Sequence, residues 1–392
     1  MSYPLLAAIF LAVAGGTAWA LAHRAGRPGV HWPAVALAGG ALLLLTAVFD
    51  SLLIGLGFFH YAPAPLAGVR IGLAPLEDFA YPIAIVVALP ALWALLTRPG
   101  GVPLPDLVRQ AVLASRPVSW INTAFPFAAA LLLTTREIDW VWALGTLYYL
   151  IPYNLAMYGI NDVFDYESDL ANPRKGGIEG ALLAPRLHRP LLWLVLATNL
   201  PFLIVLVAVG GPASWIALAV STAALLAYSA PPLRLKERPG WDSITSSIHF
   251  VSPAAVGLTL GGAIPDTGLL LTLFAFFLWG MAAHAFGAVQ DIRPDRAAGI
   301  ASIATACGAR RTVRIALALW LAAGLLMLAV PWPGPLAALL AIPYLVNCAP
   351  WVRVTDETAA DTNRAWRRFI WLNYGAGFAV TLILILFWQV GS

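Results

Sequence analysis

Two clusters of acidic residues each follow a long apolar segment of this sequence. In the first cluster Asn161, Asp165 and Asp169 are spaced four residues apart, and Asp162 lies beside Asp165 in helical register. At 3.6 residues per turn, this spacing stacks the side chains along one face of a helix. Carboxylates stacked in this way repel one another unless a cation binds between them, and Mg²⁺ prefers a few carboxylates together with water and phosphate oxygens. The spacing therefore predicts a Mg²⁺ site whose ligands are all four residues of this cluster.

The second cluster comprises Asp291 and Asp295, again four residues apart, with His284 two helical turns earlier on the same face. Two facing groups of carboxylates can hold several Mg²⁺ ions between them. Cations that bridge a diphosphate neutralise the charge that develops when its allylic C–O bond breaks, which is the main requirement of prenyl transfer. We therefore predict that Asp291 and Asp295 bind metal and act in catalysis together with Asp162 and Asp165.

Other residues near the clusters have side chains suited to binding a substrate. Cationic side chains form charge-assisted hydrogen bonds with phosphate oxygens. The residues predicted to contact substrate are Arg174, Lys175, Lys236, Arg296, Tyr228, His284 and Asn154. The alternative is that the acids only solvate loop ends beside arginines, but the occurrence of two clusters in helical register at the ends of spans favours a site.

The elements that carry the clusters must be membrane helices. Apolar residues make up 60% of the 392 residues and charged residues only 11%, which is too little charge for a water-facing surface of this size. About twelve apolar runs are long enough to cross the roughly 30 Å of hydrocarbon in a bilayer. We therefore predict an all-α, polytopic membrane protein with spans near 3–22, 33–58, 76–97, 118–135, 139–160, 190–208, 212–229, 244–262, 268–289, 312–330, 333–350 and 368–389.

The basic residues predict how these spans are oriented. With twelve spans, only Arg70 and Arg136 fall on one side of the membrane, and nearly all other Lys and Arg residues fall on the opposite side. Basic loops of membrane proteins remain preferentially in the cytoplasm. The pattern predicts a multi-pass protein of the cell membrane with both acidic clusters at the cytoplasmic face. The net charge of +4 reflects this topology and does not indicate nucleic-acid binding.

A polar stretch with several Pro and Gly residues, 98–117, divides the spans into two groups. Such a composition is typical of a linker, here on the cytoplasmic side. Three spans precede it in residues 1–97, and nine spans with both acidic clusters follow it in residues 118–392. The sequence thus predicts two membrane domains in one chain.

The carboxy-terminal domain resembles the UbiA superfamily of intramembrane prenyltransferases. The resemblance covers 118–389 and is carried by the NDxxDxxxD pattern of Asn161 to Asp169, the DxxxD pattern of Asp291 to Asp295 and the loop YSAPPLRLK that ends at Lys236. It implies a nine-helix bundle, two Mg²⁺ ions and a central cavity open to lipid under a cytoplasmic cap. Many members have a further aspartate where this sequence has Gly299, and a lysine where it has Pro232.

The amino-terminal domain resembles the small three-helix subunits of heterodimeric lycopene cyclases, most clearly in VRIGLAPLEDFAY. Asp50, Glu77 and Asp78 are ionisable groups in or beside apolar spans, where such groups are costly and usually functional. Cyclisation of a polyene begins with protonation of its terminal double bond, which a neutral carboxylic acid can perform. We predict Glu77 and Asp78 for this role. The alternative is that they favour the dipole at a helix N-terminus.

The combination of the two domains resembles fused proteins of C50 carotenoid synthesis, in which a lycopene elongase is joined to a cyclase subunit. It implies dimethylallyl diphosphate and lycopene as substrates, and a complementary small cyclase subunit as partner. Two alternatives remain open. One is a prenyltransferase of the same superfamily for a quinone, haem or chlorophyll-like acceptor, and the other is a transporter or cation channel, since intramembrane acids also mark ion paths.

Overall fold

In the carboxy-terminal part of the chain, proline or charged residues interrupt the long apolar runs, and the helices end at these positions. The computed structural model describes residues 2–25, 32–57, 61, 66–96, 106–170 and 182–390, without the side chains of 24, 25, 92–96, 168 and 169. The chain divides into two compact units, Met1–Leu104 and Pro105–Ser392. Each unit is described separately below.

The described residues of the amino-terminal unit form three helices, of which the third packs against the other two: α1 (Tyr3–Ala25), α2 (Trp32–Gly55) and α3 (Ala80–Leu96). Before α3 the chain forms a short antiparallel pair of strands, β1 (Arg70–Ile71) and β2 (Ala74–Pro75), followed by the 3₁₀ turn Leu76–Phe79. The turn between the strands uses Gly72 at φ +65°, a conformation that glycine adopts without strain. Helices α1 and α2 are apolar on all sides, which suits contact with lipid or with another membrane protein.

The carboxy-terminal unit is a helical bundle. Its described helices are α4 (Asp106–Ala114), α5 (Ile121–Thr135), α6 (Trp140–Leu150), α7 (Pro152–Phe164), α8 (Tyr166–Leu170), α9 (His188–Val209), α10 (Pro212–Ser229), α11 (Trp241–Leu260), α12 (Thr267–Val289), α13 (Ile292–Ala297), α14 (Ile303–Cys307), α15 (Ala309–Met327), α16 (Ala341–Cys348) and α17 (Asn363–Val390). Short 3₁₀ turns lie at Pro117–Ser119, Pro185–Leu187, Leu235–Glu237, Gly334–Leu340, Ala349–Trp351 and Ala359–Thr362.

The predicted all-α membrane fold is confirmed, whereas the count of twelve spans is not. Within the described residues, eight helices are long and apolar enough to cross a bilayer, or nine if the pair Asp106–Ser119 and Ile121–Thr135, bent by 61°, forms one span. The span predicted at 139–160 is divided between α6 and α7, because Pro152 has no backbone N–H to continue the ladder. Helix α15 begins with a run of arginines and so falls short as an apolar span.

Two separate cores anchor the helices that carry the acidic clusters. Helix α7 contributes Tyr153 to a core that also contains Phe127 and Tyr149. Helix α12 contributes Phe286 to a second core around Trp320. Because helices in a membrane associate through close van der Waals packing, these cores hold the helix ends from which the acidic clusters extend.

Candidate active site

A cavity of about 1590 Å³ runs through the carboxy-terminal bundle. One end is lined by Asp165, Asp291 and Asp295, and the other by apolar residues that include Ile264 and Phe387. Its wall is mostly apolar and is built by α5, α7, α11, α12, α15 and α17. The carboxylates of both clusters therefore meet at one end of a long apolar space.

The first acidic cluster does not continue one helix through to its last member. Helix α7 ends at Phe164, and α8 starts at Tyr166, so the chain turns at Asp165. Asn161 and Asp165 line the cavity, whereas Asp162 is 1% exposed and lies behind the wall. The side chain of Asp169 lies outside the described residues. The predicted register thus holds for part of the cluster only.

Basic side chains surround the first cluster. Lys236 donates to the Asp165 carboxylate and, at 3.4 Å, to the Asn161 side-chain oxygen. Arg234 approaches Asp165 at 3.5 Å, and its other guanidinium nitrogen donates to the Phe164 carbonyl. Burial lowers the pKa of Lys236 to about 8, while the nearby Glu237 charge opposes that change. These cations lie where a diphosphate bound at the carboxylates would need positive charge.

Arg116 belongs to the site although it was not among the residues predicted from the sequence, where it fell in the linker. Its guanidinium donates to Asp162 at 3.2 Å and lies over the Tyr158 ring, 4.3 Å from the centroid. It lines the cavity and adopts a left-handed backbone conformation, φ 49°, before Pro117. The residue before a proline is restricted away from the helical region, and this was the available signal that α4 ends there.

The second acidic cluster lies at the junction of α12 and α13. Asp291 precedes α13, Asp295 lies within it, and the Asp295 amide donates to the Asp291 carbonyl at 2.9 Å. Gly299, where many UbiA sequences have an aspartate, has φ +69° and ends this segment. Glycine favours that conformation, so the backbone accounts for the departure from the family pattern.

Two residues predicted to bind substrate are used elsewhere in the structure. Arg296 pairs with Asp356 at 2.8 Å and donates to the Thr305 carbonyl at 3.0 Å, and it is absent from the described cavity wall. Asn154 is fully buried, and its amide nitrogen donates to Thr123 Oγ1 at 2.7 Å. Both side chains therefore hold helices and loops together, in place of the predicted contacts with substrate.

His284 and Tyr228, also predicted from the sequence, do line the cavity. Their side chains are joined by a hydrogen bond of 3.2 Å between Tyr228 Oη and His284 Nε2. Arg174 and Lys175 lie outside the described residues. The structure thus brings Tyr228, His284 and Lys236 to the acidic end of one cavity.

The donor chemistry of the acidic end fits Mg²⁺ held together with a diphosphate. In the part of the chain that the structure describes, no group of three His, Cys, Asp or Glu side chains could hold an ion by itself. Mg²⁺ does not require such a cage, because it commonly takes one or two carboxylates and completes its shell with water and substrate phosphates. Asp165, Asp291 and Asp295 offer carboxylates of this kind, and Asn161 an amide oxygen.

The acids of the amino-terminal unit have different partners. Tyr61 Oη donates to Asp78 at 2.8 Å, and Asp78 also shares a hydrogen bond with Asp50 of α2. The Glu77 carboxylate accepts from the backbone amide of Ala67 at 2.6 Å. The two acids predicted together thus differ: Asp78 lies in a hydrogen-bonded acid pair, and Glu77 binds the preceding loop.

Comparison with known proteins identifies the class of protein to which this chain belongs. The chain belongs to the UbiA prenyltransferase family, which matches residues 123–373. It is therefore a membrane prenyltransferase, and the transporter alternative is set aside. A UbiA homologue from Archaeoglobus fulgidus bound to DMAPP and Mg²⁺ has the same fold, with a TM-score of 0.52 at 20% identity over 68% of this chain and 98% of that one.

Similar curated proteins act in carotenoid synthesis. The chain is 47% identical, over 90% of each protein, to the C50 β-cyclic carotenoids biosynthesis protein LbtBC of Dietzia sp. (strain CQ4). It is 48% identical to a lycopene elongase/hydratase of Corynebacterium glutamicum, over 73% of this chain and 99% of that protein. A lycopene elongase/hydratase of Haloferax volcanii is 33% identical over 70% of this chain and 88% of that protein.

Proposed function

We propose that this protein transfers dimethylallyl units from dimethylallyl diphosphate to the ends of lycopene, with Mg²⁺ as cofactor. The observation that carries the proposal is the cavity, which has carboxylates and cations at one end and an apolar wall that extends to the opposite end. Binding of a diphosphate requires the charged end, and binding of a long apolar acceptor requires the apolar wall. The name of the relative from Corynebacterium glutamicum supports lycopene as the acceptor.

The acidic end would bind and orient the diphosphate. When bound, Mg²⁺ neutralises charge on the leaving diphosphate, and Asn161, Asp165, Asp291 and Asp295 would hold it, with Asp162 and Asp169 completing the predicted set. Lys236 and Arg116 supply charge-assisted hydrogen bonds to phosphate oxygens. These cations would stabilise the negative charge as the allylic C–O bond breaks.

The apolar part of the cavity would bind the acceptor as an extended rod. Aromatic rings, among them Trp279, Tyr344 and Phe369, line its middle. Their faces attract positive charge and exclude water, so they would protect a carbocation while the new C–C bond forms. With a five-carbon donor, a compact aromatic acceptor would leave the far end of this space unfilled, whereas lycopene would fill it.

The amino-terminal unit would supply half of a carotenoid cyclase. The relative LbtBC is matched over 90% of this chain, which must include more than half of the 104 residues of this unit. Three helices cannot enclose a C40 chain, so a complementary small subunit would complete the pocket. Asp78, with Asp50 and Tyr61 around it, is the candidate proton donor.

The protein would lie in the cell membrane with its acidic end towards the cytoplasm. The support is the distribution of Lys and Arg, which lie almost entirely on that side in the predicted topology. A cytoplasmic position also suits the donor, because dimethylallyl diphosphate is water-soluble and lycopene is not.

The test is the pigment made by bacterial cells that produce lycopene and express this chain. We expect acyclic products with one or two added C5 units, identified by mass, and cyclic C50 products only when the complementary subunit is present. Cells that express Asp291→Asn at the same level should accumulate unchanged lycopene. Unchanged lycopene in cells with a well-inserted wild-type protein would contradict the proposal.

A further inference from the structure

A hydrogen-bonded chain of three side chains lies beside the acidic end of the cavity, and a buried carboxylate holds the backbone at its inner end. Tyr228 Oη lies 3.2 Å from His284 Nε2, and His284 Nδ1 lies 3.1 Å from Ser243 Oγ. The carboxylate of Asp242, which is fully buried, accepts from the Ser243 amide at 2.8 Å and from the Ile303 amide at 2.6 Å. Tyr228 and His284 reach the cavity wall.

The chain lies at the depth where the reacting carbons are expected. His284 is seven residues before Asp291, a distance of roughly 10 Å along the helical path at 1.5 Å per residue. A five-carbon donor whose diphosphate lies at the carboxylates would place its allylic carbons between these two levels. Tyr228 therefore lies beside the region in which the new C–C bond would form.

The proposed reaction needs a proton acceptor at that depth. Addition of the allyl cation to a terminal double bond leaves a tertiary carbocation on the acceptor, and an alkene forms only when a neighbouring C–H loses its proton. The carboxylate of Asp165 is already engaged by Lys236 and Arg234. An imidazole is a suitable proton acceptor near neutral pH.

Both ring nitrogens of His284 face hydroxyl groups, and a hydroxyl can either donate or accept a hydrogen bond. Either neutral tautomer of His284 can therefore form both hydrogen bonds. The ring can hold a proton that it receives from Tyr228. Asp242 accepts from the Ser243 amide and so helps to fix the position of the hydroxyl that faces His284 Nδ1.

We propose that Tyr228 and His284 form the proton relay that ends the transfer reaction, with Ser243 and Asp242 as positioning residues; the inference rests on the proposed function. The C–H bond next to the carbocation breaks and its electrons form the new double bond. The proton passes to Tyr228 Oη as the tyrosine proton moves to His284 Nε2. The imidazolium returns a proton through Tyr228 to the released diphosphate, so that both groups are restored.

A second histidine in the wall is the main competitor for this role. His249 is 2% exposed, its Nε2 has no hydrogen-bond partner, and its ring meets the Tyr228 ring edge-on at 5.2 Å. It is not joined to a hydroxyl at both nitrogens, as His284 is. Its substitution therefore serves as a test between the two imidazoles.

The experiment measures the fate of the carbocation in full-length variants in lipid nanodiscs with lycopene, dimethylallyl diphosphate and Mg²⁺. Diphosphate release reports ionisation, and mass spectrometry separates alkene products from alcohols formed by water capture. Tyr228→Phe and His284→Gln should lower alkene formation about a hundredfold, the lower end of what a general base contributes, and should raise the alcohol-to-alkene ratio. The KM for the diphosphate should change less than twofold.

Tyr153→Phe is the matched control, because it removes a buried tyrosine hydroxyl, one that accepts from Ser221 at 3.3 Å and is not part of the described cavity wall. Its alcohol-to-alkene ratio should equal that of the wild type. An unchanged ratio in both Tyr228→Phe and His284→Gln would overturn the relay, as would a change confined to His249→Phe. Failure of the wild type to modify lycopene would instead contradict the proposed function.

Discussion

At the scale of single residues, each acidic cluster is defined by the charges around it. Asp162 is buried against Arg116, and Asp165 is paired with Lys236, so the protein already neutralises part of its own negative charge. A carboxylate that lost its charge would no longer bind metal and would leave these cations unbalanced. Individual members of the clusters should therefore matter much more than exposed acids.

We predict that Asp165→Asn and Asp291→Asn each lower the rate of prenyl transfer at least about a hundredfold, because each removes a carboxylate that stabilises developing charge. The measurement is the initial rate with lycopene and dimethylallyl diphosphate at limiting Mg²⁺. Asp361→Asn is the control, since Asp361 is exposed and pairs only locally with Arg364. Turnover near the wild-type rate in either site variant would count against the metal assignment.

Arg116→Gln should lower both the affinity for the diphosphate and the temperature of thermal unfolding, because it removes a cation that pairs with the buried Asp162 carboxylate. Breaking a buried ion pair by removing one partner typically costs about 3 kcal/mol or more. The double variant Arg116→Gln with Asp162→Asn should recover part of the unfolding temperature but not the activity. Equal unfolding temperatures in the wild type and Arg116→Gln would contradict this pairing.

At the scale of elements, the length of the apolar runs predicted the helices. The arrangement of the site, however, depends on contacts between residues that are far apart in sequence. Arg296 is next to Asp295 in sequence, yet neighbouring residues of a helix do not share a face, and Arg296 turns to Asp356. Arg116 is far from the clusters in sequence and still reaches Asp162. The sequence therefore predicted most of the acidic cavity wall and missed a cation brought in by chain folding.

In the amino-terminal unit, Glu77 and Asp78 lie in the same 3₁₀ turn but have different hydrogen-bond partners. Asp78→Asn should abolish ring formation in cells that also express the complementary subunit, while elongation continues, because it removes the buried acid. Glu77→Gln should retain more cyclisation, since its amide oxygen can still accept from the Ala67 amide. Analysis of the pigments distinguishes the two variants. Normal cyclisation in Asp78→Asn would exclude Asp78 as the proton donor.

At the scale of the whole molecule, the chain consists of two compact units, Met1–Leu104 and Pro105–Ser392. The described part of the predicted linker, from Asp106 onwards, belongs to the second unit and forms α4, with Ala111 and Ala114 buried. The lycopene elongase/hydratase of Corynebacterium glutamicum matches 73% of this chain with 99% of its own length. From this similarity we expect, as a prediction, that the carboxy-terminal unit acts without the first.

A protein that starts at Pro105 should therefore keep at least about half of the elongation activity, since it retains Arg116, both acidic clusters and the positive residues that orient its first span. The comparison is acyclic product per inserted protein, against full-length Asp78→Asn as the control for lost cyclisation. Loss of elongation in a truncated protein that inserts normally would show that both units form one catalytic assembly.

The most direct test of the central claim uses the purified full-length protein in lipid nanodiscs with dimethylallyl diphosphate labelled in its C5 unit. Lycopene and an aromatic quinone precursor are offered together, with Mg²⁺ or with a chelator. The account predicts label in carotenoids heavier than lycopene by one and then two C5 units, and none when Mg²⁺ is removed. Label on the aromatic acceptor with none on lycopene would contradict it.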